Sequence, residues 1–146
     1  MEYLIEIGYL GLFLSAFLAA TILPLSSEAV LTVLLFKDFN VATLIIVATA
    51  GNVLGSLTNY GIGYWLSIDV VKKILRISDN QLLKARERFH TYGILSLCFA
   101  WVPIIGDPLT LIAGVLRIRL AWFIILVTAG KLARYIFIAY FVSSIN

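Results

Sequence analysis

Leu23-Pro24-Leu25-Ser26-Ser27-Glu28 and Val102-Pro103-Ile104-Ile105-Gly106-Asp107 are the two places where the apolar runs of this chain break. In each, an acid follows a proline by four residues, and the two copies are offset by 79 residues. The same offset aligns Ile45-Ile46-Val47-Ala48-Thr49-Ala50-Gly51 with Ile124-Ile125-Leu126-Val127-Thr128-Ala129-Gly130, identical at five of seven positions. A carboxylate inside a membrane-length apolar segment is costly and marks a functional site by default. Internal repeats with interrupted apolar segments are a sequence mark of transporter folds.

The 146 residues are 62% hydrophobic, which excludes an ordinary soluble domain and predicts an all-α integral membrane protein. There is room for one membrane domain over 1–146: repeat 1 at about 7–66, a linker at 67–90, and repeat 2 at about 91–143. The first apolar run begins near Ile7 without a basic flank or small-residue cleavage site, so it does not read as a removable signal peptide. A single cysteine, Cys98, excludes an internal disulfide, and a single histidine, His90, argues against a His-rich metal site. With no phosphate-binding loop, dinucleotide fingerprint or nucleophile elbow, neither an enzyme, a cofactor, a metal nor a nucleic-acid partner is expected.

From Ile7 to Phe36 there are thirty residues and one charge, Glu28. A spanning helix needs about 20 residues, so this is long for one span and short for two. The economical reading is a re-entrant hairpin: a half-helix in (about 10–22), a polar tip, and a half-helix out (about 28–36). Lys37-Asp38-Phe39-Asn40 is a turn, and 41–66 is a full span ending in an aromatic belt of Tyr60, Tyr64 and Trp65. In the polar linker, Val70, Val71, Ile74 and Leu75 predict a surface helix. Ser78-Asp79-Asn80-Gln81 reads as a capping box for a second helix, with Leu82, Leu83 and Phe89 on one face. The second hairpin occupies 91–116, with Asp107 as N-cap and Pro108 at the first helical position, and 120–142 is the second span. The tip residues of the two hairpins include Pro24, Pro103, Gly106 and Pro108.

A hairpin makes no net crossing and a span makes one, so the second repeat is expected to be inverted relative to the first. The basic residues agree. Hairpins place the six of the linker with Arg117 and Arg119 on the cytoplasmic side, against Lys37 outside; broken spans would put both arginines with Lys37.

Four charges fall at membrane depth: Glu28, Asp107, Lys131 and Arg134. Lys131 and Arg134 are i, i+3 neighbours on one helix face. The equivalent positions of the first span are Asn52 and Gly55, so the repeats match in frame and differ in charge. The returning half-helices start near Ser27 and Asp107, and helix N-termini favour anions. Lys131, Arg134, Ser26 and Ser27 are therefore expected to hold a phosphate, with Glu28 and Asp107 competing for the cations or relaying protons. The competing reading makes the acids helix caps and the ion pairs purely structural. Asn52, Ser56 and Asn59 form a polar stripe that either lines a cavity or cross-bonds helices. Gly51 and Gly55 form a Gly-x-x-x-Gly pattern, chiefly a mark of close helix packing and only weakly of a homo-oligomer.

The segments 17–28, Gly51-Asn52 through Thr58-Asn59, 101–107, and Gly130-Lys131 with Arg134-Tyr135 resemble the YqaA-like branch of the DedA superfamily, the SNARE-associated or VTT domain proteins. The resemblance runs from about residue 9 to 140. It implies a bacterial or archaeal inner-membrane protein with two opposed re-entrant hairpins, in a superfamily associated with lipid translocation. Bacterial members are linked to undecaprenyl phosphate recycling and proton-motive-force-dependent stress tolerance, and eukaryotic relatives are lipid scramblases. The first-tip acid of the family maps onto Glu28. The second tip departs from the family pattern Arg-Phe-x-Pro-x-x-x-Arg: Ala100 and Asp107 stand where the arginines would be. The expected function is translocation of an anionic lipid or lipid-linked phosphate, flippase or scramblase, across the inner membrane. The alternatives are a proton-coupled exporter or antiporter of small ions, and a non-transporting membrane assembly factor.

Overall fold

The computed structural model of the protein describes residues 2–21, 26–102 and 106–145. Along them run α1 (Glu2–Ala19), α2 (Ser27–Leu35), α3 (Val41–Trp65), α4 (Ile68–Leu75), α5 (Asp79–Tyr92), a 3-10 segment (Gly93–Trp101), α6 (Gly106–Val115) and α7 (Leu120–Ile145). No strand occurs among the described residues. At about 1.5 Å per residue, α3 and α7 are long enough to cross a hydrocarbon layer of about 30 Å, and both are apolar enough to do so. Helices α2 and α6 have 9 and 10 residues, about half that length.

The chain divides into two compact units: Met1–Gly55 with Lys131–Asn146, and Ser56–Gly130. The boundary falls inside both long helices. Unit 1 therefore holds the α1–α2 pair, the first part of α3 and the last part of α7. Unit 2 holds the rest of α3, the linker helices, the 3-10 segment, α6 and the first part of α7.

In unit 1, Ser26 sets the start of α2. Its backbone is extended and its hydroxyl accepts from the Ala29 N–H, while Glu28 sits in the positive first turn. Asn40 then opens α3, its Oδ1 accepting from the Thr43 N–H at 3.0 Å. Tyr9 meets Phe39 edge-on at 5.2 Å, so the first part of α1 lies beside the turn that ends the hairpin. Leu12, Leu31, Leu34, Leu44, Ala48 and Tyr135 form the core of this unit. The glycine pair of α3 faces α1: a Cβ at Gly51 would strike the Phe13 carbonyl, and one at Gly55 the Phe17 carbonyl and the Ala20 methyl. Close helix packing is thus what the Gly-x-x-x-Gly pattern serves within the chain.

Unit 2 uses the same device. A Cβ at Gly63 would strike the Leu111 carbonyl, and one at Gly114 the Tyr60 carbonyl, so α6 lies directly on the last part of α3. Buried Val71 belongs to this unit, whereas Val70 and Ile74 of α4 are exposed. The capping box is present: Ser78 Oγ accepts from the Gln81 N–H, and Gln81 Oε1 accepts from the Ser78 N–H.

Several boundaries and faces differ from the sequence reading. Helix α1 starts at Glu2 rather than near Leu10, and α7 runs to Ile145, because the helices extend past their apolar stretches. Gly93–Trp101, in the stretch read as the second hairpin, is a 3-10 segment. Helix α6 begins at Gly106, so Asp107 lies in its first turn rather than at the N-cap, and Pro108 follows it. Leu83 is exposed while Leu82 and Phe89 are buried, since a helix turns Leu83 about 100° from its neighbour. The tips Pro24 and Pro103 lie outside the described residues.

Overpacking at the α1–α3 contact is therefore expected to destabilise the fold. Gly55→Val should cost about 1–3 kcal/mol. Gly61→Ala, where an added Cβ meets nothing within 4 Å, should be neutral or stabilising. Thermal unfolding midpoints in detergent should fall for Gly55→Val and hold or rise for Gly61→Ala.

Candidate functional site

Lys131 sits 11 residues into the 26-residue helix α7 and is only 2% exposed. Its ammonium donates to Asn52 Oδ1. Lysine has donors only, so the amide must present its oxygen to Lys131 and its nitrogen to the other side. There Asn52 Nδ2 donates to the Tyr135 hydroxyl at 2.9 Å. The Tyr135 hydroxyl shares a further hydrogen bond with Ser27 Oγ at 2.8 Å. Asn52, Tyr135 and Ser27 are each buried to 4% exposure or less. A continuous polar chain thus runs from Lys131 on α7, through Asn52 on α3, back to Tyr135 on α7, and out to the first residue of α2.

Beside it lies the ion pair of Arg134 with Glu28. Ser26 Oγ also donates to the Glu28 carboxylate, at 3.1 Å. Two successive residues of α2 therefore bind two successive residues of α7: Ser27 to Tyr135 through neutral hydroxyls, and Glu28 to Arg134 through charge. The neutral rung is buried. The charged rung is partly open, at 27% and 19% side-chain exposure.

The structure gathers Ser26, Ser27, Glu28, Asn52, Lys131 and Arg134 in unit 1. Asp107, Ser56 and Asn59 belong to unit 2. There Asn59 Nδ2 donates to Thr110 Oγ1 at 3.3 Å, and Thr110 Oγ1 donates to the Asp107 carbonyl at 2.7 Å. Ser56 is fully buried, Gly106 is buried, and Asp107 and Pro108 are half-buried. Asn59 on α3 is thereby bonded to Thr110 on α6.

Tyr135 and Thr110 carry these networks, and reading the sequence for charges passed over both. Tyr135 was within reach. Moved along by 79 residues, the stripe Asn52, Ser56, Asn59 falls on Lys131, Tyr135 and Ile138, so its second polar position becomes a phenol. Thr110 has no such signal, because its equivalent is Leu31.

Tyr135→Phe should leave the Asn52 amide and the Ser27 hydroxyl short of a buried partner, at a cost of about 1–3 kcal/mol. Adding Ser27→Ala should cost less than the sum of the single changes, since both remove one bond. A thermal-unfolding cycle on the two single variants and the double variant checks this, and strict additivity would deny the Ser27–Tyr135 bond.

Residues 5–144 match the VTT domain. The chain is 39% identical over 133 residues to an uncharacterized protein of Haemophilus influenzae, covering 86% of this chain and 81% of that one. It is 37% identical over 130 residues to the inner membrane protein YqaA of Escherichia coli, covering 88% and 87%. A Lactococcus lactis protein called alkaline phosphatase-like is 29% identical over 140 residues, covering 87% of this chain and 65% of its own length. No solved structure matches. With nearly its whole length inside the domain, two membrane-length helices, and a buried lysine and a half-buried arginine on the second of them, the chain belongs to the VTT domain family of membrane proteins, the DedA superfamily, in its YqaA-like branch.

Proposed function

We propose that this protein translocates an anionic lipid or a lipid-linked phosphate across the inner membrane. The observation that carries the reading is the Arg134–Glu28 pair, a partly open ion pair beside the buried Lys131. A phosphate competes with Glu28 for Arg134, since guanidinium grips either oxyanion through two parallel hydrogen bonds. Lys131, held by Asn52, adds a fixed positive charge. A carboxylate stripped of its cation in an apolar site favours its protonated form. Phosphate binding at Arg134 is thereby coupled to proton uptake by Glu28, which gives the proton-motive force a handle on the cycle. Asp107 serves as the corresponding acid of the second repeat. No covalent bond is made or broken in this cycle.

The same reading holds the two hairpins to be re-entrant and the repeats inverted. Three things support it. Helices α2 and α6 have half the length of a span. Tyr9 meets Phe39 at the mouth of the first hairpin, so that hairpin starts and ends at one level, and Arg117 over Tyr64 sets the end of the second beside the end of α3. Lys131 and Asn52, equivalent positions of the two repeats, are bonded to each other, as residues on a pseudo-two-fold axis would be. The linker 67–90 is then cytoplasmic. In a Cys98→Ser background, an impermeant reagent should label Lys37→Cys from outside only and Arg117→Cys from inside only. Labelling of both from one side would end the inverted arrangement.

Reconstitution in liposomes tests the activity, with fluorescent phospholipid and polyprenyl phosphate as probes and with or without a pH gradient. Lipid movement that responds to the gradient is expected. Arg134→Lys keeps the charge and loses the fork, and should slow lipid movement about tenfold or more, the scale of one charge-assisted hydrogen bond. Proton flux without lipid movement, with Arg134→Lys mild and Arg134→Gln shifting the pH profile, would make the protein a proton-coupled ion exporter. Neither flux would leave an assembly factor.

A further inference from the structure

The turn between α6 and α7 is fastened to the end of α3 by two side chains. The Tyr60 hydroxyl donates to the Ile118 carbonyl. The Arg117 guanidinium lies over the Tyr64 ring, 4.9 Å from its centre. Arg117 has φ 51°, a left-handed backbone that a non-glycine residue adopts at a cost. The Tyr60 bond to the next residue helps hold that conformation, and Arg117 itself is exposed. A guanidinium stacked on a ring face keeps its edge N–H groups for a second partner. Among the described residues no carboxylate pairs with Arg117, whereas Lys72 on α4 donates to Asp79 and lies 3.6 Å from Asp69. The bond from Lys72 to Asp79 raises the Lys72 pKa above its ordinary value, so that cation is already matched. Trp65 is 85% exposed, with its ring 6.0 Å from that of Tyr64.

These groups share one end of a membrane-length helix. Exposed aromatic rings at such an end lie at headgroup level, and the fixed negative charge at that level belongs to anionic lipids. We propose that Arg117, stacked on Tyr64, binds the phosphodiester of an anionic phospholipid from the leaflet in which α3 ends, with Trp65 lying against the glycerol and upper acyl region. The phosphodiester accepts two parallel bonds from the guanidinium edge, and the ring behind it fixes the plane of the fork. The occupant is a lipid rather than a soluble anion because the exposed indole supplies apolar contact that a free phosphate cannot use. The site is independent of lipid translocation and requires only that α3 end at the bilayer surface.

Trp65 is the natural reporter. With Trp101→Phe and Trp122→Phe in place it is the remaining tryptophan, since the chain has three. The full chain is reconstituted in phosphatidylcholine vesicles containing equal fractions of either brominated phosphatidylglycerol or brominated phosphatidylcholine. Brominated phosphatidylglycerol should quench Trp65 preferentially, with a relative affinity about fivefold higher, the effect of one basic residue near an anionic surface. Arg117→Gln and Tyr64→Leu should abolish the preference, and Arg117→Lys should reduce it. Arg119→Gln removes the same charge two residues away and should leave the preference intact. Equal quenching by both lipids in the parent, equal loss in Arg119→Gln, or full retention in Arg117→Lys would overturn the stacked site. Abolition of the preference by soluble glycerol phosphate would overturn a lipid as its occupant.

Discussion

An ammonium that cannot reach water must be solvated by the protein around it, and Lys131 imposes that demand on unit 1. On insertion scales a charge at a helix centre costs about 2.5–3.5 kcal/mol. Asn52 meets part of the demand with its amide oxygen. The choice of that oxygen commits the amide nitrogen to a second acceptor, which is Tyr135. The Tyr135 hydroxyl in turn reaches Ser27, and so the first residue of α2 is tied to the middle of α7. The place where α2 begins is thus coupled to the solvation of a lysine more than a hundred residues away. Close approach of the helices is a precondition. Gly51 flanks Asn52, and Gly51 with Gly55 lets α1 lie on α3 without intervening side chains.

The site divides its polar groups by task. The buried rung, Ser27 with Tyr135, is neutral and closed, and it can stay made whatever the charges do. The neighbouring rung, Glu28 with Arg134, is charged and partly exposed, so its partners can be exchanged. An ion pair of limited exposure is costly to break without a substitute partner. Partial exposure also spares this pair part of the desolvation cost that a fully buried one carries.

The long helices, the capping box and five of the buried polar residues, Ser27, Asn52, Ser56, Asn59 and Lys131, could be read from the chain, because each rests on a local pattern: an offset, a run length, a spacing. The ends of α1 and α7 could not, since a helix continues past its apolar stretch whenever the next residues tolerate it, as Glu2 to Glu6 do. The 3-10 winding of Gly93–Trp101 has no mark of its own, as its composition suits an α-helix equally. Tyr135 was overlooked for a different reason. A phenol in an apolar helix reads as bulk, and only its partners on other helices reveal that its hydroxyl joins α3 to α2. The pairing of Lys131 with Asn52 was present as an offset but not as a contact, because repeat equivalence says which positions correspond and not which of them meet.

The same joint is built twice with different chemistry. In unit 2 the returning helix α6 meets the last part of α3 through Thr110 and Asn59, a neutral polar contact, with Gly63 and Gly114 permitting the approach. In unit 1 the positions equivalent to Thr110 and Asn59 are Leu31 and Ile138, both part of the apolar core. The polar content of that joint has moved about one turn toward the start of α2, to Ser27, Glu28, Arg134 and Tyr135. At these two positions unit 1 is apolar where unit 2 is bonded, and among the described residues it is unit 1 that carries a lysine and an arginine near the start of its short helix. Unequal chemistry on an equal frame puts an ion pair and a buried ammonium at the joint of unit 1 and a neutral polar contact at that of unit 2.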